Sequence, residues 1–177
     1  IYNCFSAGNV SGTMITDVND LLGDCVGGLI GYTVNSNVYY SYSTATVKVP
    51  DIIDDGYAGG LVGLAGGKII DSYSAGKIEC SSPGFNCGGL AGGIYENITN
   101  CFSSTDIYAD GENMKCHTLV GKVEDKNAEA ENCYYSDESV IKNSCSYSYP
   151  RGLNATTTEA SKFKNSEFVS ETLRFTP

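Results

Sequence analysis

The chain has 177 residues, 41% of them hydrophobic, with 21 glycines, 13 tyrosines, only 4 prolines and a formal net charge of -10. That is enough apolar material for one globular core and too little length for two full-sized domains. The acidic balance, with Lys and Arg scattered singly, excludes the basic footprint of a nucleic-acid binder, and no apolar run approaches the 18 or so residues of a membrane-spanning helix.

Taken in chain order, the sequence repeats itself. The first stretch, IYNCFSAGNV, places Ile1, Asn3, Cys4, Phe5 and Val10 at the spacing that later units copy. Starting in mid-repeat and without a basic, apolar leader, it reads as an excised segment, with any signal peptide or anchor lying outside it. An insertion at 11 to 24 follows, and then GGLIG at 27 to 31. The next unit brings Val38, Tyr40, Ser41, Tyr42 and Val47, a shorter insertion at 48 to 56, and GGLVG at 59 to 63. Ile69, Asp71, Ser72, Tyr73 and Ile78 lead to GGLAG at 88 to 92; Ile98, Asn100, Cys101, Phe102 and Ile107 lead to a degenerate TLVG at 118 to 121. A last partial unit holds Ala130, Asn132, Cys133, Tyr134 and Ser139.

Leu29, Leu61, Leu90 and Leu119 thus recur at intervals of 29 to 32 residues. No unit has enough apolar surface to fold alone, so the units must stack. They lack helical periodicity and helix caps, whereas Gly, Tyr, Val, Ile and Thr favour strands and tight turns. About 30 residues at roughly 3.3 Å each make one coil of three short strands, with equal positions stacked about 4.8 Å apart. The expected fold is therefore all-β, a right-handed parallel β-helix of four to five coils over 1–150, closed by a short helical cap at 151–177. Interior columns are expected from the four leucines, from the aromatics Phe5, Tyr42, Tyr73, Phe102 and Tyr134, and from two aliphatic series. Asn3, Asp71, Asn100 and Asn132 form a polar column at a turn, broken at Tyr40. For the cap, Thr156 with Glu159 fits a capping box, ahead of an apolar stripe at Ala160, Phe163, Phe168 and Leu173.

GGLIG, GGLVG and GGLAG, with blocks such as NCFSAGNV and DSYSAGKI, resemble the GLUG motif, a repeat of bacterial secreted and surface proteins including adhesins and immunoglobulin A proteases. The resemblance covers about residues 1–140 and implies an extracellular or cell-surface location. It names a repeat and not an activity.

Glycine-rich loops invite a phosphate-binding reading, but that needs a following helix and usually a Lys, and here another strand-like segment follows each time. Histidine chemistry is confined to His117, which stands in a glycine position beside Cys116, without triad partners or zinc spacing. Polysaccharide-acting β-helix enzymes need convergent carboxylates or a cation; Asp54 with Asp55, or Glu129 with Glu131, are the available pairs. A surface of charge -10 would repel a polyanionic substrate. Acids at 17, 20, 24, 51, 54, 55, 110 and 112 gather on one edge, read as a solvated face ahead of a calcium site.

No catalytic, cofactor-binding or metal-binding residue is expected. Cys4, Cys101 and Cys133 share a column with Ser41 and Ser72 and read as small buried side chains; Cys101–Cys133, Cys87–Cys116 and Cys80–Cys87 are the alternative disulfide pairs. The expected function is a structural or adhesive module touching host glycans or proteins through Tyr39, Tyr40, Tyr57, Asp54 and Asp55, with neighbouring repeats or domains of the parent chain as further partners. The rivals are an accessory β-helix of a secreted protease and a polysaccharide-acting enzyme.

Overall fold

The computed structural model describes residues 1–12, 23–49, 55–142, 146–147 and 155–158. Among these every element is a strand, all ladders are parallel, and no helix occurs. Three turns carry the full set of strands. The middle one runs through Ile69–Ile70, Tyr73–Ser74, Lys77–Cys80, Phe85–Gly88 and Ala91–Ile94, and these head the first to fifth sheets in that order. The sheets hold four, six, five, five and four strands respectively. The chain is a parallel β-solenoid with five short strands to the turn, not three, because each former long strand is interrupted by a turn or by the glycine corner.

Register is held residue for residue: Val38, Ile69, Ile98 and Ala130 are successive partners in the first sheet, and Val47, Ile78 and Ile107 in the third. Below Ile107 the partner is Ile141, not Ser139, since a turn after Ser136 adds two residues and carries the apolar position onward.

The apolar interior is double. One core lies between the first and fifth sheets and is built from Val38, Ile69 and Ile98 against Val62, Ala91, Ile94 and the leucines Leu61, Leu90 and Leu119. The other lies between the third and fourth, with Val47, Ile78 and Ile107 against Phe85, Ala58 and Cys87. Between the two cores the fourth and fifth sheets touch through glycine. A Cβ at Gly60 would meet the Gly89 carbonyl oxygen at 2.1 Å and the Ser74 Cβ at 3.0 Å, so the corner points inward, against the second sheet. At the corner the leucine backbones form their own ladder, Leu29 N–H to Leu61 O at 2.9 Å and Leu61 N–H to Leu90 O at 2.9 Å.

This inward fold corrects the aromatic column. The second sheet already has the glycine corner on its inner side, so only serine fits there: Ser43, Ser74 and Ser103 are fully buried, and Ser74 Oγ donates to the Gly89 carbonyl at 2.7 Å. Side chains alternate across a strand, which sends Phe5, Tyr42, Tyr73, Phe102 and Tyr134 to the outer face. None of the five belongs to either core. The leucines hold their expected interior places, with Leu61, Leu90 and Leu119 fully buried and Leu29 packed at the edge.

Thr156, expected to cap a helix, lies instead in the strand Thr156–Thr158, paired with Tyr134–Ser136 in the second sheet. The remainder of the expected cap and its apolar stripe lie outside the described residues.

Candidate contact surface

Two surface regions carry the candidate residues. The first is the outer face of the first two sheets. Phe5, Tyr42, Tyr73 and Phe102 stack there with centroids 5.4, 4.8 and 4.7 Å apart and planes within 13° of parallel. Such spacing follows directly from in-register parallel strands. Phe5, at the edge, is 66% exposed.

Beside the rings runs the polar column. Asn3, Tyr40, Asp71, Asn100 and Asn132 all take left-handed backbone conformations, with φ between 48° and 54°. Asparagine and aspartate tolerate this region best, which is why the column is written in them. Their side chains form a directed chain: Asn132 Nδ2 donates to Asn100 Oδ1 at 2.7 Å, and Asn100 Nδ2 to Asp71 Oδ1 at 2.8 Å. The chain of bonds ends at Asp71, and the charge of that carboxylate raises the pKa of the neighbouring Tyr40 above the ordinary phenol value. Tyr39 stands next to it and accepts a 2.8 Å hydrogen bond from Asn37 Nδ2. Tyr2 packs on both rings, 5.1 Å edge-on from Tyr40 and 6.5 Å from Tyr39.

The column between them explains the interchange of cysteine and serine. Ser41 Oγ, Ser72 Oγ, Cys101 Sγ and Cys133 Sγ each donate to the carbonyl two residues back, at 2.8, 2.8, 3.2 and 3.3 Å. The site requires a small side chain with one donor, and either residue supplies it. Cys101, Cys133, Cys80 and Cys87 are free thiols, which excludes Cys101–Cys133, Cys87–Cys116 and Cys80–Cys87 as disulfides in this structure. Burial and the neighbouring Cys133 raise the Cys101 thiol, and bonds to Cys116 and Cys80 together with burial raise Cys87.

The second region is the mouth of the seam between the fourth and fifth sheets. Tyr57, expected as an exposed contact, is buried there. Its ring rests on Gly93, where an added Cβ would come within 2.7 Å of it. Its hydroxyl bonds to Glu124, and Lys122 Nζ reaches Glu124 at 2.8 Å and lies 5.7 Å over the Tyr57 ring. Burial, then the Glu124 carboxylate, raises the Tyr57 hydroxyl well above its usual range. No sequence signal pointed to Lys122 or Glu124, since both sit in the degenerate fourth copy. Asp55 occupies a turn at φ 77° on the same edge; Asp54 lies outside the described residues. The structure therefore unites Tyr39 and Tyr40 and separates both from Tyr57 and Asp55.

His117 is fully buried, and its Nδ1 accepts the Leu119 N–H at 3.0 Å and the Val120 N–H at 3.4 Å. Burial pushes its pKa down to about 4. It holds the corner in the copy that lacks the glycine. Among the described residues no group of three or more His, Cys, Asp or Glu is placed to hold a metal ion, and no helix is long and apolar enough to cross a membrane.

The family model of the GLUG motif matches residues 23–48 and 54–79. These two stretches are GLUG repeats. Each GLUG match spans one circuit of the solenoid, from the fourth sheet through the inward corner to the third, so the motif's glycines and leucine are the corner just described. The stretch from Phe85 to Ala109 makes the same circuit in register with the second GLUG repeat. A crystal structure of a candidate immunoglobulin A1 protease from Bacteroides ovatus superposes with a TM-score of 0.65 at 19% identity, over 93% of this chain and 50% of that one. That likeness is one of fold, and this chain spans half the length of that protein. No protein of curated function matches the sequence.

Proposed function

We propose that the chain is a non-enzymatic structural and adhesive module of a secreted or cell-surface bacterial protein, contacting host glycans or proteins. The observation that carries this reading is the outer aromatic face: an in-register ladder holds Tyr42 and Tyr73 stacked at 4.8 Å outside both cores and leaves the neighbouring Tyr40 45% exposed. Rings held at an outer face add nothing to either core, and exposed aromatic patches mark contact sites. On this reading the solenoid is right-handed, of four to five coils with a C-terminal cap, and serves as a stiff spacer.

The test is a screen of the chain against immobilised host glycans and mucosal proteins. Binding that falls when outer tyrosines are replaced supports the reading, and its absence throughout the screen overturns adhesion. The second reading, an accessory or catalytic part of a secreted protease, is favoured by the solved structure of similar fold. Incubation with immunoglobulin A1 decides it: cleavage by this chain would overturn the non-enzymatic assignment.

A further inference from the structure

Resting on the adhesive reading above, we infer that the outer face around Tyr40 is a subsite for a neutral oligosaccharide. The patch is formed by Tyr2, Tyr39 and Ile70, successive partners along the first sheet, together with Tyr40, Phe5 and Tyr42 beside them. It is polarised along the axis. In later coils the same rows carry Thr99 and Glu131 in place of Tyr39 and Ile70, and Asn100 and Asn132 in place of Tyr40. On these two rows the aromatic character is therefore local, while the adjoining row of Phe5 and Tyr42 stays aromatic through Tyr73, Phe102 and Tyr134.

Tyr40 is the most informative member. Its column is otherwise asparagine and aspartate, and it holds the left-handed conformation, φ 48°, that a bulky residue adopts at a cost. Tyr2 packs edge-on against it at 5.1 Å, yet the residue stays 45% exposed and belongs to neither core. A strained residue whose side chain faces solvent is the pattern expected of a recognition site.

Charge selects the class of ligand. The three rows of the patch contain no Lys or Arg; of their two carboxylates, Glu131 lies two coils beyond Ile70, and Asp71 already accepts from Asn100 Nδ2 at 2.8 Å. With a net charge of -10 on the chain, an anionic glycan is repelled and nothing on the patch pairs with it. Phenol rings edged by hydroxyls and side-chain amides complement sugars, which offer C–H faces edged by hydroxyls. A neutral saccharide chain lying along the coil axis meets one such row at each step of about 4.8 Å.

The chain has no tryptophan and 13 tyrosines, so the patch is read as the difference in tyrosine fluorescence between the wild type and a Tyr40→Asn variant. The 177-residue chain is titrated with cello-, laminari-, chito- and manno-oligosaccharides and, in parallel, with heparin and polygalacturonate, by fluorescence and calorimetry. The expected result is saturable binding of at least one neutral series, weakened tenfold or more in Tyr40→Asn, with the melting temperature of that variant not lowered. Tyr39→Ser serves as a second variant and is expected to weaken the same ligand. Neutral binding that survives both variants overturns the site while leaving adhesion intact. No neutral binding, binding of the polyanions alone, or concentration-dependent self-association abolished by Tyr40→Asn overturns the saccharide assignment; retained host-protein binding would then leave the broader module reading standing.

Discussion

A Cβ on Gly59 would stand 1.8 Å from the carbonyl oxygen of Val62, because the strands on either side of the corner lie directly against each other. Backbone cannot yield at that distance without separating the fourth and fifth sheets. Gly59→Ala is therefore expected to destabilise the fold by on the order of 4 kcal/mol, or to prevent folding. Urea unfolding of the variant measures this, and a loss under about 1 kcal/mol would contradict the close contact.

Inner and outer columns should respond differently to truncation. Leu90→Ala leaves a void in a fully buried site and is expected to cost about 3 kcal/mol. Tyr42→Ala removes a partly exposed ring stacked on Tyr73 and should cost about 1 kcal/mol. Equal losses in chemical denaturation would argue that the aromatic column belongs to the core after all.

His117 gives the pH dependence a direction. Its folded pKa, about 4, lies below the ordinary 6.5, so the unfolded chain takes up the proton first. Its contribution is complete above pH 6.5 and is lost as pH falls toward 4, to about 3 kcal/mol in all. The acid-side decline of stability should be shallower in His117→Gln than in the wild type. Parallel curves for the two proteins would remove histidine from the explanation.

Thiol reactivity should divide by position. Cys4 is exposed, whereas Cys80, Cys87, Cys101 and Cys133 are buried, and the raised thiols of Cys87 and Cys101 hold little thiolate at neutral pH. Brief alkylation of the native protein is expected to label Cys4 and spare these four, which become reactive in denaturant. Peptide mapping by mass spectrometry reads the outcome, and rapid native labelling of Cys101 would contradict its burial.

Tyr40→Asn should stabilise the chain by about 1 kcal/mol. Asparagine suits the left-handed turn and restores the residue type of the column, at the loss of the edge-on ring contact with Tyr2. A lowered melting temperature would show instead that the Tyr40 ring supports the fold.

Much of the architecture is legible in the repeat. Equal spacing of Leu29, Leu61, Leu90 and Leu119 requires stacked coils, since a parallel ladder keeps equal positions in register, and the asparagine column names its own turn. The site was less legible. Tyr39 and Tyr40 read as neighbours and are, but Tyr57 looked like another surface tyrosine until the inward corner enclosed it with Lys122 and Glu124, residues far from it in sequence.

The sequence alone determines the period, the register and the residue that fills each column, because these depend on local spacing and on which side chains tolerate a turn. It cannot say which face of a two-residue strand points inward, since Tyr-Ser alternates equally well either way. Tertiary structure decided that: the glycine corner folds into the middle of the coil, leaves room only for Ser43, Ser74 and Ser103, and turns the aromatic ladder to the outer face, outside both cores.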